Sequence, residues 1–233
     1  MRHARAKDAA HALALLGAMG PGARVFAGAT TFAPVTPDPL PALGVDVSGA
    51  DFGSMLEIAG GAADIAANAP LEALRRDPAL RAALPPLADL LARVGAMAVR
   101  NLATLGGGVI WPGGDLRAAL APLGAEAVFA KAGAVPVEDA AQETGDVLTR
   151  IRIPLPAPGA WTVEKLGHRE RFSPAKLILS VHRGDGPPRL ALGAAGRGLT
   201  TGTDPGALLS GLGRTEARIA RAMLSDALER TCA

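Results

Sequence analysis

The spacing of apolar and polar positions changes period several times along the chain, and each change predicts an element. In residues 8–19, Ala10, Leu13, Leu15 and Leu16 fall at helical spacing, and Gly20-Pro21-Gly22 closes that helix. Residues 24–27 read as a short strand running directly into the small-residue stretch Gly28-Ala29-Thr30-Thr31. The proline-rich run 32–43 excludes a regular helix, because each proline removes an N–H donor. Residues 44–47 and 54–59 read as short strands. From Asn68 the pattern turns helical, with Leu71, Leu74 and Leu80 following Pro70. A longer helix is predicted over 84–98, with Leu87, Leu90, Leu91 and Val94 facing inward. It delivers the chain to Val99-Arg100-Asn101-Leu102-Ala103-Thr104-Leu105-Gly106-Gly107-Gly108, read as a loop.

Beyond that loop, residues 116–123 read as a short helix closed by Gly124. Strands follow at 127–129, 135–137 and 147–153, the last with Ile151 and Ile153 alternating with Arg150 and Arg152 on a half-buried strand. Further strands at 161–166, 177–182 and 189–194 suggest an antiparallel sheet after residue 125 or so. The tail, 205–212 and 214–230, is helical, with Ile219, Met223 and Leu224 forming an apolar stripe.

Composition narrows the class. The 233 residues are 49% hydrophobic and 20% charged, which makes a globular chain with a sizeable core. Net charge is +2, the arginines are dispersed, and aromatics are 3% with no tyrosine, so nucleic-acid binding is not expected. The one cysteine, Cys232, gives this chain neither a disulfide framework nor an iron–sulfur cluster of its own. No apolar run reaches membrane-spanning length and no secretory pattern stands out at the basic start Met1-Arg2-His3-Ala4-Arg5, so the expected location is cytoplasmic.

The glycine run is the first candidate for chemistry. Successive N–H groups in such a run can form a concave anion site without a cationic side chain, and a plain turn suits the same residues. Thr104 could add a hydroxyl and Asp115 could accept from a sugar hydroxyl. Arg100 and Asn101 are expected to bond backbone carbonyls at a helix end, and Trp111 to fill space between segments. Asp46 and Asp64 have no partner pattern for acid–base work, His168, in a turn between Gly167 and Arg169, reads as a surface residue rather than a catalytic one, and no nucleophile triad or metal-ligand spacing stands out, so no catalytic or metal-binding residue is expected.

Three stretches, in order, resemble the flavin-binding medium subunit of the molybdenum hydroxylases, the carbon-monoxide-dehydrogenase-like and xanthine-dehydrogenase-like enzymes. They are Ala27-Gly28-Ala29-Thr30-Thr31, the run from Val99 to Gly107, and Glu164-Lys165-Leu166-Gly167-His168-Arg169 with Ala175-Lys176. The resemblance implies an α+β protein: a two-subdomain FAD-binding fold of the vanillyl-alcohol-oxidase type (1–48 and 49–156), then a small α+β C-terminal domain (157–233). It implies FAD as cofactor, with Ala27, Gly28, Ala29, Thr30 and Thr31 wrapping the pyrophosphate from one side. Thr104, Leu105, Gly106, Gly107 and Gly108 would wrap it from the other. Asp115 would reach the ribose or adenine end, and Leu148 and Lys165 would lie beside the isoalloxazine.

The implied activity is electron transfer inside a three-subunit oxidoreductase. A molybdopterin-binding large subunit would oxidise substrate, a [2Fe-2S] small subunit would relay electrons, and the flavin would pass them to NAD, a quinone or oxygen. Ala29 stands where the family has a second glycine, Gly108 where it has asparagine, and segment 138–146 is abbreviated. Relative to the family, the chain is expected to lack a leading strand and to have a trimmed C-terminal domain. A flavin-less structural subunit of the same kind of complex is the alternative those departures leave open.

Overall fold

Asp8 fixes the first boundary. Its carboxylate accepts from the His11 N–H at 2.7 Å and caps helix α1, Ala9–Met19. The computed structural model describes residues 2–30, 41–111, 114–141, 145–169, 173, 175–194 and 198–231. Thr31 and Cys232 lie outside the described residues.

Strands β1 (Arg2–Arg5), β2 (Ala23–Phe26) and β3 (Leu43–Asp46) form a parallel sheet in the order β1-β3-β2, with β3 buried along its whole length. The sequence pattern did not predict β1, because its alternating charges read only as a basic start. Pairing with β3 places Ala4 opposite Val45 and leaves the charged side chains outward. A strand therefore does precede α1, contrary to expectation.

The middle of the chain builds a five-stranded antiparallel sheet, order β4-β5-β8-β6-β7. Its strands are β4 (Leu56–Ala59), β5 (Ala62–Ala66), β6 (Glu126–Phe129), β7 (Gly133–Pro136) and β8 (Leu148–Pro154). The alanine-rich β5 has little intrinsic strand preference; its place between β4 and β8, with Ala63 opposite Ile153 and Ile65 opposite Ile151, makes it one. Between β5 and β6 come six short helices: α2 (Leu71–Arg76), α3 (Pro78–Ala83), α4 (Pro85–Ala92), α5 (Met97–Arg100), α6 (Leu105–Ile110) and α7 (Asp115–Leu120). The helix expected over 84–98 breaks after α4, where Gly95 takes φ +52°. Asn68 ties the first sheet to this unit, donating from Nδ2 to the Val47 and Ala50 carbonyls at 3.0 and 2.8 Å.

The third sheet is antiparallel in the order β12-β11-β10-β9, from β9 (Trp161–Gly167), β10 (Ala175–His182), β11 (Arg189–Ala194) and β12 (Gly198–Gly202). Strand alternation divides β10 between two cores. Leu177, Leu179 and Val181 pack with Leu208 and Leu209 of α8 (Pro205–Leu209) and with Ala220, Leu224 and Ala227 of α9 (Arg214–Arg230). Ile178 on the opposite face joins the core that contains α7. The Trp161 indole donates to Ser180 Oγ, which donates to the Ala119 carbonyl of α7, so this sheet is bonded to the middle unit at a buried point. The fold is α+β, as expected.

Candidate functional site

The Gly106-Gly107-Gly108 tract is not a loop. It forms α6, whose N-cap is Thr104, with Thr104 Oγ1 accepting from the Gly107 N–H at 3.2 Å. Two of the glycines are there for close packing. A Cβ on Gly106 would lie 2.8 Å from Ala67 Cβ and 3.0 Å from Leu148 Cδ2, and one on Gly108 would lie 2.6 Å from Leu116 Cδ1 of α7. Gly107 would meet only Thr104 Oγ1, at 3.1 Å.

The N–H groups expected to grip an anion here are mostly committed. Leu105 donates to the Ala69 carbonyl, Gly106 to Ala67, and Gly108 to Thr104, at 2.8–3.0 Å. The Thr104 N–H has no partner among the described residues. On this side of the expected clamp, Thr104 is the available donor.

The first loop supplies the rest. Gly28 sits flush against the second stretch, so that a Cβ there would fall 1.7 Å from the Leu102 carbonyl oxygen. Next to it Ala29 takes φ +53°, the left-handed region, where a side chain is strained and glycine is at home. Ala29 is the one described non-glycine residue with positive φ. The N–H groups of Gly28, Ala29 and Thr30 donate to no described residue. Four uncommitted N–H donors, Gly28, Ala29, Thr30 and Thr104, thus lie on two segments that touch. That arrangement suits a diphosphate, which needs close donors from more than one direction. The strain at Ala29 is the signal that the residue pattern alone did not reveal.

Lys165 and Asp115 meet each other. Lys165 Nζ lies 2.5 Å from Asp115 Oδ2 and donates to the Arg93 carbonyl at 3.0 Å, with the two charged side chains only 4% and 9% exposed. Arg93 donates in return to the Lys165 carbonyl, so α4, α7 and β9 meet in one reciprocal knot. The two residues expected to meet different parts of the cofactor are thus joined in one ion pair. The cavity beside Asp115, lined also by Arg117, Ala175 and Ile178, is about 40 Å³, room for a few waters. Leu148 is buried under Gly106 rather than open to a ligand.

Beneath the second stretch, Glu72 of α2 accepts from Arg75, Arg76 and Arg100 at 2.7–3.0 Å. The Arg75 and Arg100 hydrogen bonds hold its carboxyl far below the usual carboxylate range, against the opposing effect of burial. Arg100 also donates to the Gly95 carbonyl at 2.8 Å, the carbonyl-bonding role expected of it. The Glu-x-x-Arg-Arg spacing on α2 was the sequence signal for this network, and it was missed. Arg117 anchors the other end of α6 through the Val109 and Ile110 carbonyls, both at 2.8 Å. Among the described residues no cluster of His, Cys, Asp or Glu could hold a metal.

Compared with known families, residues 1–156 match the FAD binding domain in molybdopterin dehydrogenase. The chain belongs to that family. Its FAD-binding domain therefore takes in the first two sheets and the helices between them, including both touching segments. No curated protein matches the chain in sequence. Among solved structures, this family member is similar to the carbon monoxide dehydrogenase of Hydrogenophaga pseudoflava that lacks the Mo-pyranopterin moiety of the molybdenum cofactor. The identity is 26% and the TM-score 0.79, over 97% of this chain and 85% of that one. Quinoline 2-oxidoreductase from Pseudomonas putida 86 shares the fold at TM-score 0.83 and 22% identity, over 99% and 98% of the two chains. The reconstituted CO dehydrogenase of Oligotropha carboxidovorans does so at 0.83 and 24%, over 99% and 97%. No helix among the described residues is long and apolar enough to cross a membrane.

Proposed function

We propose that this chain is the FAD-bearing electron-transfer subunit of a molybdenum hydroxylase. A molybdopterin-binding subunit would oxidise the substrate and a [2Fe-2S] subunit would relay the electrons. The external acceptor would be NAD, a quinone or oxygen, and the complex would work in the cytoplasm. The observation that carries the reading is the set of four uncommitted N–H donors on the touching segments around Gly28 and Thr104.

Ala27, Gly28, Ala29, Thr30 and Thr31 would approach the diphosphate from one side and Thr104 from the other. Leu105, Gly106, Gly107 and Gly108 would support Thr104 by forming the helix it caps rather than by donating to the cofactor. Asp115 and Lys165 would act together as one neutral pair near the end of that helix. The bound flavin supplies the redox chemistry; the chain's residues bind it, fix its position and exclude water from it. This role would use three units, 1–48, 49–156 and 157–233, each with one of the three sheets.

The reading is tested by titrating FAD into flavin-stripped protein with ADP or FMN as competitor. ADP carries the diphosphate without the ring and should compete, whereas FMN should not. Competition by FMN alone would place recognition on the ring and contradict the two-segment clamp.

A further inference from the structure

We propose that Asn68 is the positioning residue that sets the gap between the donor segments around Gly28 and Thr104. The inference rests on the two-segment reading above and adds what holds those segments at one spacing.

Asn68 lies between β5 and α2, and its main-chain neighbours hold the second segment. The Ala67 carbonyl accepts from the Gly106 N–H at 2.8 Å and the Ala69 carbonyl from the Leu105 N–H at 3.0 Å. Leu71 donates to the Ala103 carbonyl at 2.9 Å, and Thr104 is bridged to Pro70 in the same ladder. The N-terminus of α6 is therefore fixed to residues 67–71 by backbone alone.

The Asn68 side chain reaches towards the first segment. Its Nδ2 donates to the Val47 carbonyl at 3.0 Å and to the Ala50 carbonyl at 2.8 Å, in the turn after β3. The Ser48 carbonyl lies 3.5 Å from the same nitrogen. Carbonyl oxygens on this side settle the amide's orientation, since a flipped amide would set Oδ1 against them. Val47 in turn donates to the Phe26 carbonyl at 2.9 Å, and Phe26 ends β2, two residues before Gly28. One side chain thus links the frame that holds Thr104 to the strand that delivers Gly28.

The contact of Gly28 with the Leu102 carbonyl works in the opposite sense. It is a steric stop: it limits how closely the segments approach and does nothing to prevent their separation. Asn68 supplies the pull. Stop and tie together hold the Gly28, Ala29 and Thr30 N–H groups at one distance from the Thr104 N–H, and a site is only as precise as the residues that support it. A diphosphate that meets both segments reads that distance, whereas a monophosphate can be held by one segment alone. The Asn68 amide therefore sets the preference for diphosphate over monophosphate.

The test titrates FAD, ADP and AMP into flavin-stripped full-length protein by calorimetry, with thermal melts in parallel. Asn68→Ala should weaken FAD and ADP alike, by about tenfold for the lost hydrogen bonds, and leave AMP nearly unchanged. Asn68→Asp, equal in size but with an acceptor facing carbonyl oxygens, should weaken both further. Asn68→Ser, too short to reach both carbonyls, should fall between wild type and Asn68→Ala, and as the mildest change it keeps the test decisive if the others fail to fold. Leu224→Ala, in the separate core beneath α9, should lower the melting temperature without changing the ADP-over-AMP ratio. A wild-type ratio in any folded Asn68 variant of this series would overturn the proposal, and so would an equal loss for AMP. A wild-type protein that takes up neither FAD nor ADP defeats the two-segment reading instead, before any variant is compared.

Discussion

Lys165 Nζ and Asp115 Oδ2 lie 2.5 Å apart in a site closed to solvent, and the ammonium reaches the Arg93 carbonyl as well. Two residues expected along a cofactor are also each other's partner. Removing one member leaves a buried charge unpaired, so Lys165→Met or Asp115→Asn should each lower unfolding stability by about 3–5 kcal/mol. The double variant should be less destabilised than the sum of the singles, which a denaturant double-mutant cycle measures. Additive effects would show that the pair is open in solution.

The contact between Gly28 and Leu102 makes a second expectation. A methyl at Gly28 would overlap the Leu102 carbonyl oxygen, so Gly28→Ala must separate the two segments and should both destabilise the protein and weaken FAD binding at least tenfold. At Ala29 the left-handed backbone costs roughly 1 kcal/mol for a residue with a Cβ, and Gly returns part of it as unfolded-state entropy. Ala29→Gly should be neutral to slightly stabilising, and the β-branched Ala29→Val clearly destabilising, in thermal melts.

Within α6 the three glycines should separate cleanly. Gly107→Ala meets only the Thr104 capping hydroxyl, at 3.1 Å, and gains helix propensity that offsets any loosening of that cap, so it should be tolerated, within about 1 kcal/mol of wild type. Gly108→Ala drives a methyl into Leu116 and should cost about 1–3 kcal/mol. Equal effects at the two positions would contradict this packing.

Much of this fold was legible in apolar spacing, and the failures have physical causes. Helix α9 and strands β8 to β11 are carried by their own patterns, so residues such as Ile151 and Leu224 announced them. β1, β5 and β12 become strands through pairing: Arg2 to Arg5 is mostly charged, Ala62 to Ala66 is alanine-rich, and Gly198 to Gly202 has glycine at both ends. At the site, the sequence located both touching segments but misjudged which N–H groups remain open. Gly106 looks like a flexible donor in sequence, yet tertiary contacts with Ala67 make it a packed helical residue. Nor could spacing alone reveal that Lys165 and Asp115, fifty positions apart, neutralise each other.

Glu72 gives the pH dependence. Its folded carboxyl is held below an ordinary value of 4.5 by Arg75 and Arg100. A depressed carboxylate contributes stability above its unfolded value and loses it as pH falls towards the folded one. Stability should therefore decline with acidification below about pH 4.5, and Glu72→Gln should remove part of that slope while lowering stability at neutral pH. An unchanged slope in the variant, seen in denaturant midpoints across pH 3–7, would remove Glu72 from this role.

The absorption spectrum of the purified complex, read as FAD per chain, tests the central claim most directly. Near one FAD per chain is expected in the wild type, with strong loss in a folded Gly28→Val variant. A colourless wild-type chain in an intact complex, or full occupancy in the folded Gly28→Val variant, would contradict the clamp formed by the Gly28 and Thr104 segments.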